Sequence, residues 1–256
     1  MTLAFDLLMA CLLVMVLPTS SLLHPQPGIS LRGHSQSHPL CLEVFLDLNC
    51  EYSKKSWMTM MDLSVVFGER LEIVIQQFPQ PYHTFAFILT QGYFLVHKEA
   101  PEAILNYTDL VYDHLASFNN ENTFNLTTKE VIEILADLQF EATGINQTTF
   151  ERKIHEHHVA TSKIWQYAAD KGVAGTPWYY LNGYDLHMNP KEHLGLEYWK
   201  QRLGRLLGDI PAEEDAENTF AGDDLAYKEV PSGGPALTQS PFLFTFTGFF
   251  LLGLLI

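Results

Sequence analysis

Cys50 and Ser53 stand three residues apart in the stretch LEVFLDLNCEYSKKSW, Leu42 to Trp57. The segment opens as a run of bulky apolar residues, breaks at Asn49-Cys50, and continues as a charged and aromatic stretch suited to a helix start. A cysteine at such a junction is placed for chemistry. The thiolate is the nucleophilic form of the side chain, and the unpaired N–H groups of a helix start favour an anion. Lys54 and Lys55 add positive charge nearby, and Glu51 opposes it. In a Cys-x-x-Cys pair the first thiolate attacks a substrate disulfide and the second thiol resolves the mixed disulfide. Here Ser53 occupies the second position. Mixed disulfides remain open to Cys50, but their resolution requires a thiol from outside the pair.

Other groups invite chemical readings. His83 follows Gln80-Pro81-Tyr82 and precedes a long apolar segment. Its ordinary role there is to cap a helix; the sharper alternative is to orient or deprotonate Cys50. The run His155-Glu156-His157-His158 suggests a metal, but a zincin-type pair needs histidines at i and i+4, and position 159 is valine. It reads as a solvated helix face. Gly175-Thr176-Pro177 lacks the Gly-x-x-x-x-Gly-Lys-[Ser/Thr] pattern of a phosphate loop. Trp57, Trp165 and Trp199, with apolar neighbours at helical spacing, read as core.

The elements that must position these residues follow from periodicity and punctuation. Residues 42–48 read as a strand, 52–67 as a helix and 71–78 as a second strand. Two helical segments follow, HTFAFILTQGYFLVH and APEAILNYTDLVYDHLASF. Thr127 with Glu130 and Thr148 with Glu151 both fit the capping box, predicting helix starts at KEVIEILADLQF and at one long helix, FERKIHEHHVATSKIWQYAADK. Residues 178–181 and 184–188 form a hairpin about Asn182-Gly183, and residues 191–208 a last helix. A strand–helix–strand start needs a crossover and hence a parallel pair, whereas the hairpin adds antiparallel strands. The fold class is therefore α/β, a mixed sheet of about four strands covered by helices.

Composition and the chain ends bound the function. The 256 residues suffice for a substantial core, and the net charge of −15 argues against nucleic-acid partners. Residues 1–21 read as a secretory signal peptide, with Asp6 in place of the usual basic residue and an N-terminal membrane anchor as the alternative. Residues 22–40 are rich in Pro, Gly, Ser and His and read as flexible, and residues 209–232 as an acidic disordered linker. Residues 233–256 end in an apolar run after small residues and a polar spacer. This layout matches a glycosylphosphatidylinositol (GPI) signal with attachment at Ser232; a short membrane anchor is the alternative. Asn106, Asn125 and Asn146 each begin an N-x-[ST] glycosylation sequon, and a glycosylated region must face solvent. The expected location is the secretory pathway, at the cell surface through a lipid anchor or in the endoplasmic reticulum membrane. Cys41 and Cys50 flank an extended segment about 30 Å long at ~3.3 Å per residue, too far for a disulfide. Both are expected to be free thiols or to have external partners.

The segment EVFLDLNCEYSKKSW resembles the first strand and active-site turn of DsbA-like thioredoxin-fold proteins, and AADKGVAGTPWYYLNG is similar to their Gly-Thr-Pro signature before the closing hairpin. The resemblance spans residues 41–208, with a helical insertion at about 83–170. It implies that Cys50 is the nucleophile, that Ser53 replaces the resolving cysteine, that Pro177 forms the cis-proline loop facing it, and that Thr176 offers backbone groups to a bound peptide. No metal or bound cofactor is implied. The partners are polypeptide thiols, or glutathione as the exchanging thiol, with the membrane reached through the C-terminal tail. Two functions remain open. One is a monothiol oxidoreductase or isomerase; the other is a catalytically degenerate binding or chaperone-like module on the same fold.

Overall fold

The computed structural model describes residues 28–32, 40–188 and 195–209. All belong to the first of two units, Met1–Ala212 and Glu213–Ile256. The signal peptide, most of residues 22–40, the acidic linker after Asp209, Ser232 and the C-terminal tail lie outside the described residues.

Five strands form one sheet in the order β1-β3-β2-β4-β5: β1 (Ile29–Ser30), β2 (Leu40–Leu46), β3 (Leu71–Gln77), β4 (Trp178–Leu181) and β5 (Tyr184–Asp185). β2 runs parallel to β3 and antiparallel to β4. It is central and buried on both faces, which is why its sequence is almost continuously apolar. Leu42, Val44 and Leu46 face the main core, whereas Phe45 belongs to a second cluster with Phe78, Ala168, Val173 and Tyr180. Glu43 shares the face of Phe45 because side chains alternate along a strand.

The crossover from β2 to β3 is α1 (Glu51–Phe67). It buries Trp57, Met60, Leu63 and Phe67, and it ends at Gly68, whose φ of 56° disfavours a side chain. The insertion comprises α2 (Ala86–Glu99), α3 (Ile104–Asp113), α4 (Thr128–Thr143), α5 (Gln147–Lys153) and α6 (His158–Asp170), and α7 (Leu196–Leu206) follows the hairpin. Trp57 Nε1 donates to Asp109 at 2.6 Å and joins α1 to the insertion, and the Tyr179 hydroxyl joins β4 to Ser56 of α1 at 2.9 Å.

Several expectations differ in detail; the second hairpin strand ends at Asp185 rather than at residue 188, and the last helix begins after Gly195. The sheet has a fifth strand, because Ile29–Ser30 pairs with β3 inside a segment read as flexible. The first strand begins and ends two residues earlier than its apolar pattern suggested, since Asp47, Leu48 and Asn49 form the turn into α1. The long helix from Phe150 is broken by a 3-10 turn at Ile154–His157. Side chains three apart eclipse in that geometry, and it buries Ile154 and His157 together. Finally, the cap of α5 is Asn146, whose side chain accepts from Thr149 N–H at 3.3 Å, rather than Thr148. The box at Thr127 and Glu130 forms as the spacing predicts.

Candidate functional site

Cys50 is the N-cap of α1, with extended backbone angles of φ −116° and ψ 122°. Its N–H donates to Asp47 O at 3.1 Å, closing the turn, and its carbonyl accepts from Lys54 N–H at 3.0 Å. The thiol makes no cap bond; instead it donates to the carbonyl of Thr176 at 3.6 Å. The Thr176–Pro177 peptide is cis. Residues 126 apart in sequence thus meet at the start of α1. Cys50 is 7 % exposed, more enclosed than the polar stretch EYSKK suggests. Cys41, like Cys50, is a free thiol. Burial, with Glu72 and Glu43 adding to it, pushes the Cys41 thiol up to about 11.

Ser53 is fully buried one turn into α1, and its hydroxyl accepts from Asp47 N–H at 3.1 Å. Serine therefore fills the second position as a structural acceptor. Asp47 organises the rest of the turn. Its fully buried carboxylate accepts from Asn49 N–H (2.8 Å) and Gln80 N–H (2.9 Å), and it meets His83 Nδ1 at 2.7 Å. Asn49 Nδ2 donates to Phe118 O at 2.9 Å, tying the turn to the insertion. The Asn49 Oδ1 and Thr176 Oγ1 atoms are buried without hydrogen-bond partners. Partial burial, then the charges of Cys50 and Asp47, raise the phenol of Tyr82, and full burial, then Asp47 and Cys50, raise that of Tyr112.

The structure brings together Cys50, Ser53, Thr176 and Pro177 from two distant motifs. His83 does not cap a helix: α2 begins after Phe85, and the imidazole turns to Asp47. Asp47 and Asn49 were missed because an Asp-Leu-Asn turn carries no motif; their one signal was position, directly before the thiol. A second polar cluster was also missed. Glu43 accepts from Gln76 (2.8 Å), Tyr167 (2.6 Å) and Lys171 (2.6 Å), and the Lys171 ammonium lies over the rings of Tyr167 and Tyr180. Only the oddity of an acid inside an apolar strand pointed to it. Trp57 and Trp199 are core, but Trp165 is 40 % exposed and stacks on Phe78. The sequon residues Asn106, Asn125 and Asn146 all face solvent, Asn106 from within α3. Among the described residues, no three His, Cys, Asp or Glu side chains form a metal site, and no helix is long and apolar enough to cross a membrane.

No protein-family model matches the chain, and no curated protein matches it in sequence. Solved structures do match it in three dimensions. BdbD from Bacillus subtilis superposes with a TM-score of 0.57 at 14 % identity, over 71 % of this chain and 94 % of that one. The chain has the DsbA-like thioredoxin fold with its helical insertion. A candidate protein-disulfide isomerase from Pseudomonas syringae gives a TM-score of 0.56 at 20 % identity, over 65 % and 94 % of the two chains. The thiol-disulfide exchange protein alpha-DsbA2 from Wolbachia pipientis gives 0.50 at 14 %, over 68 % and 85 %. In this fold the Cys50 thiol meets the carbonyl of Thr176, the residue that precedes cis-Pro177.

Proposed function

We propose that this DsbA-like chain is a monothiol thiol–disulfide exchange protein of the secretory pathway or cell surface. Cys50 attacks a disulfide of a polypeptide or of oxidised glutathione and forms a mixed disulfide. Ser53 cannot resolve it, because its hydroxyl stays protonated near neutral pH and is held against the Asp47 N–H. An external thiol, from the substrate or from glutathione, completes the exchange. The observation that carries this reading is the thiol at the start of α1, bonded to the carbonyl that precedes cis-Pro177. The solved structures described as thiol-disulfide exchange and protein-disulfide isomerase proteins support the class of reaction.

Incubation with glutathione disulfide tests the chemistry. Wild type is expected to gain one glutathione at Cys50, removable by reduced glutathione, and Cys50→Ser none. No adduct on wild type would favour the alternative of a binding or chaperone-like module, which the enclosure of Cys50 supports. In this reading the chain carries glycans at Asn106, Asn125 and Asn146 and a lipid anchor at Ser232. GPI-specific phospholipase is then expected to release it from cells; retention would favour a short anchor.

A further inference from the structure

An enclosed thiol bonded to a carbonyl has an acceptor for its proton but no base to remove it. Around Cys50 the obvious candidates are committed. The Ser53 hydroxyl is not basic, and the Asp47 carboxylate already serves Asn49 N–H, Gln80 N–H and His83. The last of these contacts decides the imidazole tautomer. A carboxylate can only accept, so Nδ1 carries the hydrogen and the lone pair falls on Nε2. Nε2 has no hydrogen-bond partner among the described residues, and the ring is 23 % exposed. The turn carrying it abuts the Cys50 turn, because Phe78 N–H donates to Leu46 O at 2.7 Å, just before Asp47. Tyr82 packs edge-on to the His83 ring at 4.7 Å, and Asp47 joins the two turns, accepting from Cys50 N–H at its carbonyl and meeting His83 at its carboxylate.

We propose that His83 is the proton acceptor for Cys50 and that Asp47 is its positioning residue. The inference rests on the exchange reading above. His83 Nε2 takes the proton from the thiol, and the Cys50 sulfur attacks one sulfur of a substrate disulfide. The new Cys50 S–S bond forms as the substrate S–S bond breaks. The leaving sulfur takes the bond's electron pair and then the proton from Nε2, departing as a thiol. Cys50 is oxidised as that sulfur is reduced, so no further oxidant is needed. The charged and titratable groups around the pair are Asp47 from the β2 turn, Tyr82 on the same loop, Tyr112 from α3, and Glu51, Lys54 and Lys55 on α1. Of the two lysines, Lys54 is paired with Asp113 at 3.3 Å.

The test is the rate of Cys50 alkylation by iodoacetamide across pH, read on the Cys50 peptide by mass spectrometry. Interacting groups lose protons in two macroscopic steps, so the wild-type rate should rise in two limbs, the earlier of which requires the imidazole. His83→Gln should abolish that limb and slow alkylation near neutrality about tenfold. Asp47→Asn should weaken the same limb. A single thiol limb in wild type, which requires no variant to fold, overturns the proposal, as does a His83→Gln profile that superimposes on wild type. Two limbs without a glutathione adduct would uphold the pair and sink the exchange reading; one limb with an adduct would do the reverse.

Discussion

Ser53 and Cys50 show how one heavy atom limits a reaction. The Ser53 hydroxyl sits one helical turn from the thiol and cannot attack a disulfide, yet it satisfies the buried N–H of Asp47. Ser53→Cys should therefore have two effects. The introduced thiol should resolve the mixed disulfide internally, forming an internal disulfide and releasing reduced glutathione, so that treatment with glutathione disulfide leaves no persistent adduct. Sulfur is the weaker acceptor, and leaving the Asp47 N–H poorly satisfied should cost about 1 kcal/mol of stability, measured by urea unfolding of the reduced protein. A persistent adduct on this variant would mean that the two side chains cannot meet as the helix-start geometry requires. Replacing Ser53 by Ala should instead lose the stability while the glutathione adduct persists.

At the level of elements, the insertion reaches the site through two hydrogen bonds to the turn before α1. Asn49 bonds to Phe118 O, and the Tyr112 hydroxyl donates to Asp47 O at 3.4 Å. The spacing of α2 and α3 behind those contacts depends on Gly92. A Cβ there would lie 2.5 Å from the hydroxyl of Tyr107, which is fully buried and donates to Leu89 O at 3.2 Å. Helix propensity alone favours Gly92→Ala by about 1 kcal/mol, but a buried, bonded ring has little room to give, and overpacking costs about 1–3 kcal/mol. The variant should therefore be destabilised on balance, as measured by thermal unfolding. Pairing it with Tyr107→Phe, which removes the clashing oxygen, should restore part of the loss. A stabilised single variant would show that α2 and α3 can separate freely.

For the whole molecule, the acid dependence of stability follows from the buried His157 and, to a smaller extent, from the more exposed His97. His157 is enclosed in the 3-10 turn with its Nε2 unpartnered, and burial first, then the Lys98 charge, lowers it from the usual imidazole value. Burial lowers His97 in the same direction. The folded form therefore holds these rings neutral where the unfolded chain protonates them. Their contribution to stability is complete above the ordinary imidazole range. It is lost as pH falls through the unfolded value and then the lower folded value. The melting temperature should fall between about pH 7 and about pH 5, and His157→Gln should make that slope shallower even if it lowers stability at neutrality. An unchanged slope would remove His157 as the source.

Local patterns determined much of this protein. Apolar alternation, helical spacing and the capping box at Thr127 are nearest-neighbour effects, so the strands, the crossover and the insertion were legible to within a few residues. The Cys50 turn and the Gly-Thr-Pro loop were each recognisable, and so was the serine between one chemistry and another. Tertiary structure alone decided what these residues touch. A buried carboxylate acquires its role from donors far along the chain: Asp47 from Gln80 and His83, and Glu43 from Tyr167 and Lys171. No spacing rule encodes such encounters. Likewise Ile29–Ser30 becomes a strand only because β3 offers it an open edge, and the helix after Phe150 breaks because packing against α2 favours burying Ile154 and His157 together.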